Sequence, residues 1–401
     1  MLREFRVDNF KSLLNVVFRP TDINILLGKN NSGKTNLCQA LLFLGLSAQQ
    51  PIQNEQDPRQ SYYYSFCDHP LFLRNLYLSD KPEMSFEATA ALNFKGEEYI
   101  FNYKLSVLTP VIASPEPIVQ VSYEKLTVTG SEFNGIALLE NNHGEVKLLH
   151  QTDFLQGKKN PYIPTSAPSN ATMLFRLYDL KTNELANYFK RYILNCLYYD
   201  ITANSIRSYA HTANSVVLNW DGSNLASALY RLKASDDHLY RVYMDYLKRF
   251  DPSIDAINFP IEPSEGYIFM AFADGKRNTM PMRNISNGTL RFMALLYVLL
   301  ARPKLDFRPV IIIEEPENEL FVGELRNVMN LAENNPDSPQ LIFTSHSPYF
   351  IDLFDKHLNG VFVMKRGTTH SELVQPDPSA TQAILDTFPL GEQHFREMMH
   401  K

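Results

Sequence analysis

The chain has 401 residues, of which 44% are hydrophobic and 20% charged, with a net charge of −6. This is the composition of a soluble globular protein, and its slight acidity runs against the basic profile of a dedicated nucleic-acid binder. The longest apolar run, Phe292 to Ala301, is too short to cross a membrane, which takes about 20 residues. Met1-Leu2-Arg3-Glu4-Phe5 lacks the apolar core of a signal peptide, so a cytoplasmic protein is expected. Cys38, Cys67 and Cys196 lie far apart without zinc-ligand spacing and are expected to be reduced, buried thiols. Two basic clusters, Lys158-Lys159 and Lys190-Arg191, read as solvated charged faces.

In chain order, residues 2–9 and 14–18 read as short strands, and Ile23 to Leu27 as an apolar strand running into a glycine loop. Thr35 to Leu46 carries apolar residues at helical spacing. Gln49 to Ser61 is a polar loop. Residues 80–155 alternate in the manner of strands, with a hairpin over 83–108, and predict an antiparallel β lobe. Asn160 to Asn170 holds three prolines and two serines and is the best linker candidate. Thr172 to Phe250 reads as mainly helical, interrupted around Ala203 to Asp221. Ile257 to Phe272 is β again, Thr289 to Leu300 an apolar helix, Val310 to Ile313 a buried strand, Phe321 to Glu333 a helix, and Leu341 to Thr344 and Gly360 to Lys365 further strands. Buried strands alternating with helices predict a parallel sheet covered on both faces. The expected division is residues 1–160, 161–280 and 281–401.

Four stretches carry chemistry. Gly28-Lys29-Asn30-Asn31-Ser32-Gly33-Lys34-Thr35 fits G-x-x-x-x-G-K-[ST] between a strand and a helix. Its backbone N–H groups would surround phosphates, Lys34 would face the β- and γ-phosphates, and the Thr35 hydroxyl would bind Mg²⁺. Asn31 stands where glycine is common, and asparagine tolerates left-handed backbone angles. Val310-Ile311-Ile312-Ile313-Glu314-Glu315 is an apolar strand ending in two acids. Glu314 would hold the metal, and Glu315 would orient and activate the attacking water. Ser286-Asn287-Gly288 opens an apolar helix, as a simple cap or as a second anion-binding turn. His346, after the strand Leu341 to Thr344, reads as a loop residue or as a contact to the γ-phosphate or the attacking water.

The order of these motifs resembles the ABC-type ATPase head, in the RecF/SMC branch and its OLD-like relatives. Phe5-Arg6-Val7-Asp8-Asn9-Phe10-Lys11-Ser12 resembles their opening strand, and Gly28 to Leu37 their phosphate loop, which adds Asn30, Asn31, Ser32 and Asn36 to the nucleotide contacts. Ile285-Ser286-Asn287-Gly288-Thr289-Leu290-Arg291 is similar to their signature motif. Ile313-Glu314-Glu315-Pro316-Glu317-Asn318 is similar to their double-acid strand, and Thr344-Ser345-His346-Ser347-Pro348 to their switch-histidine loop. Asp221 to Ala226 resembles a recurring piece of their middle region. The resemblance implies an α/β P-loop NTPase of ABC-ATPase type: a mixed or parallel sheet core with an antiparallel β lobe and a helical insertion. It implies ATP and Mg²⁺, catalysis by Lys34, Glu315 and His346, and a homodimer or higher oligomer in which Ser286, Asn287 and Gly288 reach the partner's nucleotide.

Three features depart from the family. Where its members continue Gly-Leu-His-Pro, this chain has Glu319-Leu320-Phe321-Val322. A glutamine loop has no clear position, with Gln60 as one candidate. Residues 347–401, all that follow His346, are too few for the nuclease domain of OLD proteins. The leading expectation is therefore an ATPase that controls a separate effector, a nuclease or toxin, in bacterial antiphage defence. Alternatives are a RecF-like DNA-binding ATPase, which the net charge does not favour, and a scaffold in which ATP is only structural glue.

Overall fold

The computed structural model describes residues 1–54, 61–78, 81–112, 118–177, 182–213, 215–276, 278–320, 322–335, 338–347, 350 and 352–377. The chain forms two compact units, one of Met1–Leu197 with Asn359–Asp377, the other of Tyr198–Leu358.

The first unit holds an eight-stranded antiparallel sheet. Its strands are β1 (Leu2–Asp8), β2 (Val16–Phe18), β4 (Glu83–Phe94), β5 (Glu97–Leu108), β6 (Gln120–Gly130), β7 (Phe133–Asn142), β8 (Glu145–Leu149) and β9 (Tyr162–Ser166), with β3 (Ile23–Leu27) lying outside this sheet. The spatial order is β2-β1-β4-β5-β6-β7-β8-β9. Side chains alternate across it, so Phe86, Ala88 and Ala90 of β4 and Phe101, Tyr103 and Leu105 of β5 are buried on one face. Helix α1 (Lys34–Ser47) lays Phe43 flat against Phe86 at 5.0 Å, with Phe10 5.6 Å from each ring. This aromatic cluster anchors the helix that carries the phosphate loop, and truncating one such ring costs about 3–5 kcal/mol. The helix Glu184–Leu194 covers the sheet further along, with Phe189 stacked on Phe101 at 5.4 Å.

β3 is buried at every residue and pairs in parallel with the strand Val361–Arg366, Ile25 opposite Val361 and Leu27 opposite Val363. That strand pairs antiparallel with Ser371–Val374, which closes the first unit with residues far from its start.

One expectation is corrected here. Residues 160–170 are not a linker, because β9 pairs along its whole length with β8, Leu149 opposite Tyr162 and Glu145 opposite Ser166. Proline is tolerated because β9 is an edge strand, where the missing N–H of Pro164 removes no ladder bond. The interrupted region 203–221 also contains a short strand, Ala210–His211, paired with Tyr267–Ile268.

The second unit contains two buried parallel strands, Val310–Glu314 and Gln340–Ser345, in register Val310 to Gln340 and Glu314 to Thr344. The helix Val322–Asn334 connects them. Helices Leu225–Ser235 and Asp237–Phe250 precede a small three-stranded meander, Ala256–Asn258, Ala271–Ala273 and Thr279–Pro281. Asp236 caps the second of these helices through Leu239 N–H at 2.9 Å. The helix Asn287–Leu296 is buried almost throughout and continues in a wider turn, Tyr297–Ala301. Phe292 stacks on Phe250 at 3.9 Å, and the Tyr243 hydroxyl donates to the Met293 carbonyl at 2.8 Å. Among the described residues no helix is long and apolar enough to cross a membrane.

Candidate functional site

The first unit carries the phosphate loop. β3 stops at Leu27, and the chain turns through Asn31, at φ 64°, and Gly33, at φ 107°, into α1. Gly33 is required twice over: its backbone is left-handed, and a Cβ there would lie 2.6 Å from Ser371 Oγ. Ser371 donates to Ser12 Oγ at 2.8 Å, and Asn36 Nδ2 donates to the same oxygen at 2.7 Å. Three residues from three distant segments thus brace the loop from behind. Asn36, expected at the nucleotide, spends its amide on this brace.

Lys34 is buried and folds back over its own loop, with Nζ donating to Gly28 O at 2.7 Å and Lys29 O at 3.2 Å. An ammonium already surrounded by oxygens is a site for which phosphate oxygens compete directly. Ser32 Oγ is buried and has no hydrogen-bond partner among the described residues. Asn30, Asn31 and Thr35 are exposed at the mouth of the loop. A buried lysine, an unsatisfied hydroxyl and the start of a 14-residue helix fit a polyphosphate, and Thr35 in the first turn is open to a metal ion.

The second unit carries the acids, the histidine and the Ser-Gly turn. Glu314 ends its strand opposite Thr344. Glu315 then adopts a left-handed backbone, φ 41°, which costs a non-glycine residue about 1–2 kcal/mol. Main-chain hydrogen bonds hold it there. Its N–H donates to Thr344 O at 3.1 Å and Thr344 Oγ1 at 3.3 Å, and its carbonyl accepts from Arg291 Nη2 at 3.0 Å and from Asn318 N–H at 3.1 Å. The turn aims the Glu315 carboxylate at His346, with Oε1 3.1 Å from Nδ1, while Oε2 accepts from Asn318 Nδ2 at 2.9 Å. Glu315 and His346 are 33% and 46% exposed, so both remain open to a reacting group. Beside them the Glu317 side chain is only 7% exposed.

Arg291 sits inside the apolar helix Asn287–Leu296 and is itself buried. Burial draws its guanidinium below the usual arginine range, opposed by the carboxylates of Glu319, Asp200, Glu317 and Glu315. Burial likewise pushes the Asp200 carboxyl up, with Arg291 opposing and the Glu315 charge adding to the shift.

At the start of the same helix Ser286 Oγ accepts from Thr289 N–H at 3.0 Å, an N-cap. Thr289 Oγ1 in turn donates to Asp251 at 3.0 Å. Asn287 donates to Glu319 Oε1 at 2.9 Å, and a Cβ on Gly288 would lie 2.5 Å from Glu319 O. The segment that departs from the family pattern, around Glu319, therefore packs directly on the Ser-Gly turn. Gln60, Phe321 and Pro348 lie outside the described residues.

Sequence reasoning assigned no role to Arg291, Glu317, Ser12 or Ser371. A lone cation in the run Leu290-Arg291-Phe292-Met293-Ala294-Leu295-Leu296 was a usable signal, since arginine is almost never fully buried without a partner. No comparable signal marks Ser371. Of the basic clusters, Lys158-Lys159 is exposed, with Lys158 paired with Asp153 at 2.6 Å, while Lys190 turns inward and donates to the carbonyls of Phe175 and Leu177.

Residues 104–352 match the family described as "AAA domain, putative AbiEii toxin, Type IV TA system". A protein of Helicobacter pylori (strain ATCC 700392 / 26695) named ATP/GTP phosphatase is 24% identical over 372 residues, which cover 89% of this chain and 88% of that protein. Among solved structures, an SMC head bound to the C-winged helix domain of ScpA is similar with a TM-score of 0.54 at 12% identity, covering 94% of this chain and 99% of that one. That likeness concerns the fold, a mixed α/β P-loop ATPase head. With its family model spanning well over half its length, the chain belongs to the AAA domain family and is an ATPase, with a fold similar to that of an SMC head.

Proposed function

We propose that the chain binds ATP with Mg²⁺, self-associates around the nucleotide, and uses hydrolysis to control a separate effector protein in antiphage defence. The observation that carries the hydrolytic part is the pairing of His346 Nδ1 with Glu315 Oε1 at 3.1 Å, on a left-handed turn that main-chain hydrogen bonds maintain. Strain kept at a pair of exposed titratable groups favours a reacting role over a packing one.

In this reading Lys34 leaves its loop carbonyls for phosphate oxygens, and Ser32 and the loop N–H groups complete the cradle. Thr35 and Glu314 would hold Mg²⁺, which offsets phosphate charge when bound. Glu315 holds the attacking water and takes its proton, and His346 fixes the carboxylate that does so. Ser286, Asn287 and Gly288 form a helix N-terminus offered to the nucleotide of a second copy.

Control of an effector is favoured by the family, whose description joins an AAA domain to a toxin system. The similar SMC head was solved with a domain of another protein bound, so this fold is compatible with a protein partner. The deciding experiment is capture of a Glu315→Gln variant from its native host with ATP and Mg²⁺, followed by nuclease treatment. A stoichiometric protein partner supports the proposal. Retention of nucleic acid alone, lost on nuclease treatment, replaces it with the DNA-binding reading.

A further inference from the structure

Glu317 is two residues beyond Glu315 on the same turn. We infer that Glu317 is a positioning residue for His346, acting through Ser345; this rests on the hydrolytic reading above.

A single oxygen of Glu317, Oε1, accepts from Ser345 Oγ at 2.6 Å and from His346 N–H at 3.3 Å. Ser345 Oγ also accepts from Ser347 N–H at 3.0 Å. One carboxylate therefore fixes three consecutive residues, with the histidine at their centre. The ring is then held between two acids: Nδ1 lies 3.1 Å from Glu315 Oε1 and 4.0 Å from Glu317 Oε1. Both acids belong to one turn, so the spacing of Glu315 and His346 is set by two short segments clamped together by Glu317.

Exposure separates the roles. Glu317 is 7% exposed against 33% for Glu315 and 46% for His346, so the buried acid grips and the open pair reacts. The other Glu317 oxygen, Oε2, is buried with no hydrogen-bond partner among the described residues. A half-satisfied buried carboxylate lowers stability, so stability alone does not account for an acid here. A carboxylate supplies this loop with an oxygen that accepts from a hydroxyl and an N–H together and carries a negative charge 4.0 Å from His346 Nδ1, which an amide oxygen lacks.

The test is steady-state ATP turnover of the full chain for the wild type, Lys34→Ala, Glu317→Gln, Ser345→Ala, His346→Ala, and Glu317→Gln and Ser345→Ala each combined with His346→Ala. Glu317→Gln should lower kcat about 10-fold or more with KM for ATP changed less than about 2-fold. Ser345→Ala should lower kcat in the same way but less. Combined with His346→Ala, neither should slow turnover beyond His346→Ala alone, because all act through one side chain. Turnover of Glu317→Gln near wild type, losses that multiply with that of His346→Ala, or a change confined to KM would overturn the inference. If Glu317→Gln does not fold, the Ser345→Ala and His346→Ala cycle decides by the same criteria. Equal turnover in wild type and Lys34→Ala would defeat the hydrolytic reading and this inference with it. Loss in Lys34→Ala alongside an unaffected Glu317→Gln defeats only the inference.

Discussion

Arg291 donates from Nη2 to the main-chain carbonyl of Glu315 at 3.0 Å, and from Nη1 to the carbonyl of Ile201. It thereby ties the helix that begins at Ser286 to the strained turn presenting the acid expected to activate water. The planar guanidinium suits two carbonyls at fixed positions, which a lysine ammonium does not reproduce. Arg291→Lys is expected to lower kcat about 10-fold or more while ATP affinity stays within a few-fold, and to destabilise the fold by about 1–3 kcal/mol. Phosphate release, equilibrium nucleotide binding and urea unfolding of the same preparation check the three parts.

Gly288→Ala places a methyl group 2.5 Å from Glu319 O, so one of the two segments must shift. ATP-dependent self-association of the Glu315→Gln protein should be lost, with ATP binding by each chain retained. The packing change should cost about 1–3 kcal/mol. Light scattering with and without ATP reports the first outcome.

Gly33→Ala combines two faults, a left-handed backbone and a clash with Ser371. ATP affinity should fall at least about 10-fold, since a displaced loop loses several N–H contacts together. Adding Ser371→Gly removes the clash but leaves the backbone strain of about 1–2 kcal/mol. The double variant should therefore recover only part of the affinity, as titration calorimetry would show.

Glu124 is a fully buried acid that accepts from Met173 N–H, Leu174 N–H and the Tyr103 hydroxyl at 2.5, 2.9 and 2.9 Å. Burial pushes its carboxyl up, and these hydrogen bonds oppose the rise without cancelling it. A folded value above the unfolded one means that its contribution is fully present below the ordinary carboxylate range. The contribution is lost as pH rises through the folded value. Glu124→Gln cannot titrate and turns an amide donor toward one of the backbone donors, at a cost of about 1–3 kcal/mol in acid. Its deficit against wild type should shrink from pH 5 to pH 8, measured by urea unfolding at both. A deficit that grows with pH would reverse the sign of this assignment.

The local parts of the fold were legible in sequence. β3, the loop and α1 are contiguous, so the apolar run, the glycines and the helical spacing sit side by side. The β4–β5 hairpin announced itself by alternation around a tight turn. The strand β9 did not, because its proline and serine are turn residues in isolation, and only its pairing with β8 makes them an edge strand.

The same division runs through the candidate site. Sequence alone determined which residues are chemically equipped: Lys34 in a glycine loop, Glu314 and Glu315 at a strand end, His346 after the next strand, Ser286 and Gly288 before a helix. These are short-range patterns, since a phosphate cradle or a strand terminus is built from neighbours in the chain. Only the tertiary structure decided what holds them. Ser371 reaches Ser12 across 359 positions, Arg291 reaches Glu315 across 24, and Ser345 reaches Glu317 across 28. A hydrogen bond between distant segments leaves no periodicity, because its partners are matched by distance in space and by nothing along the chain.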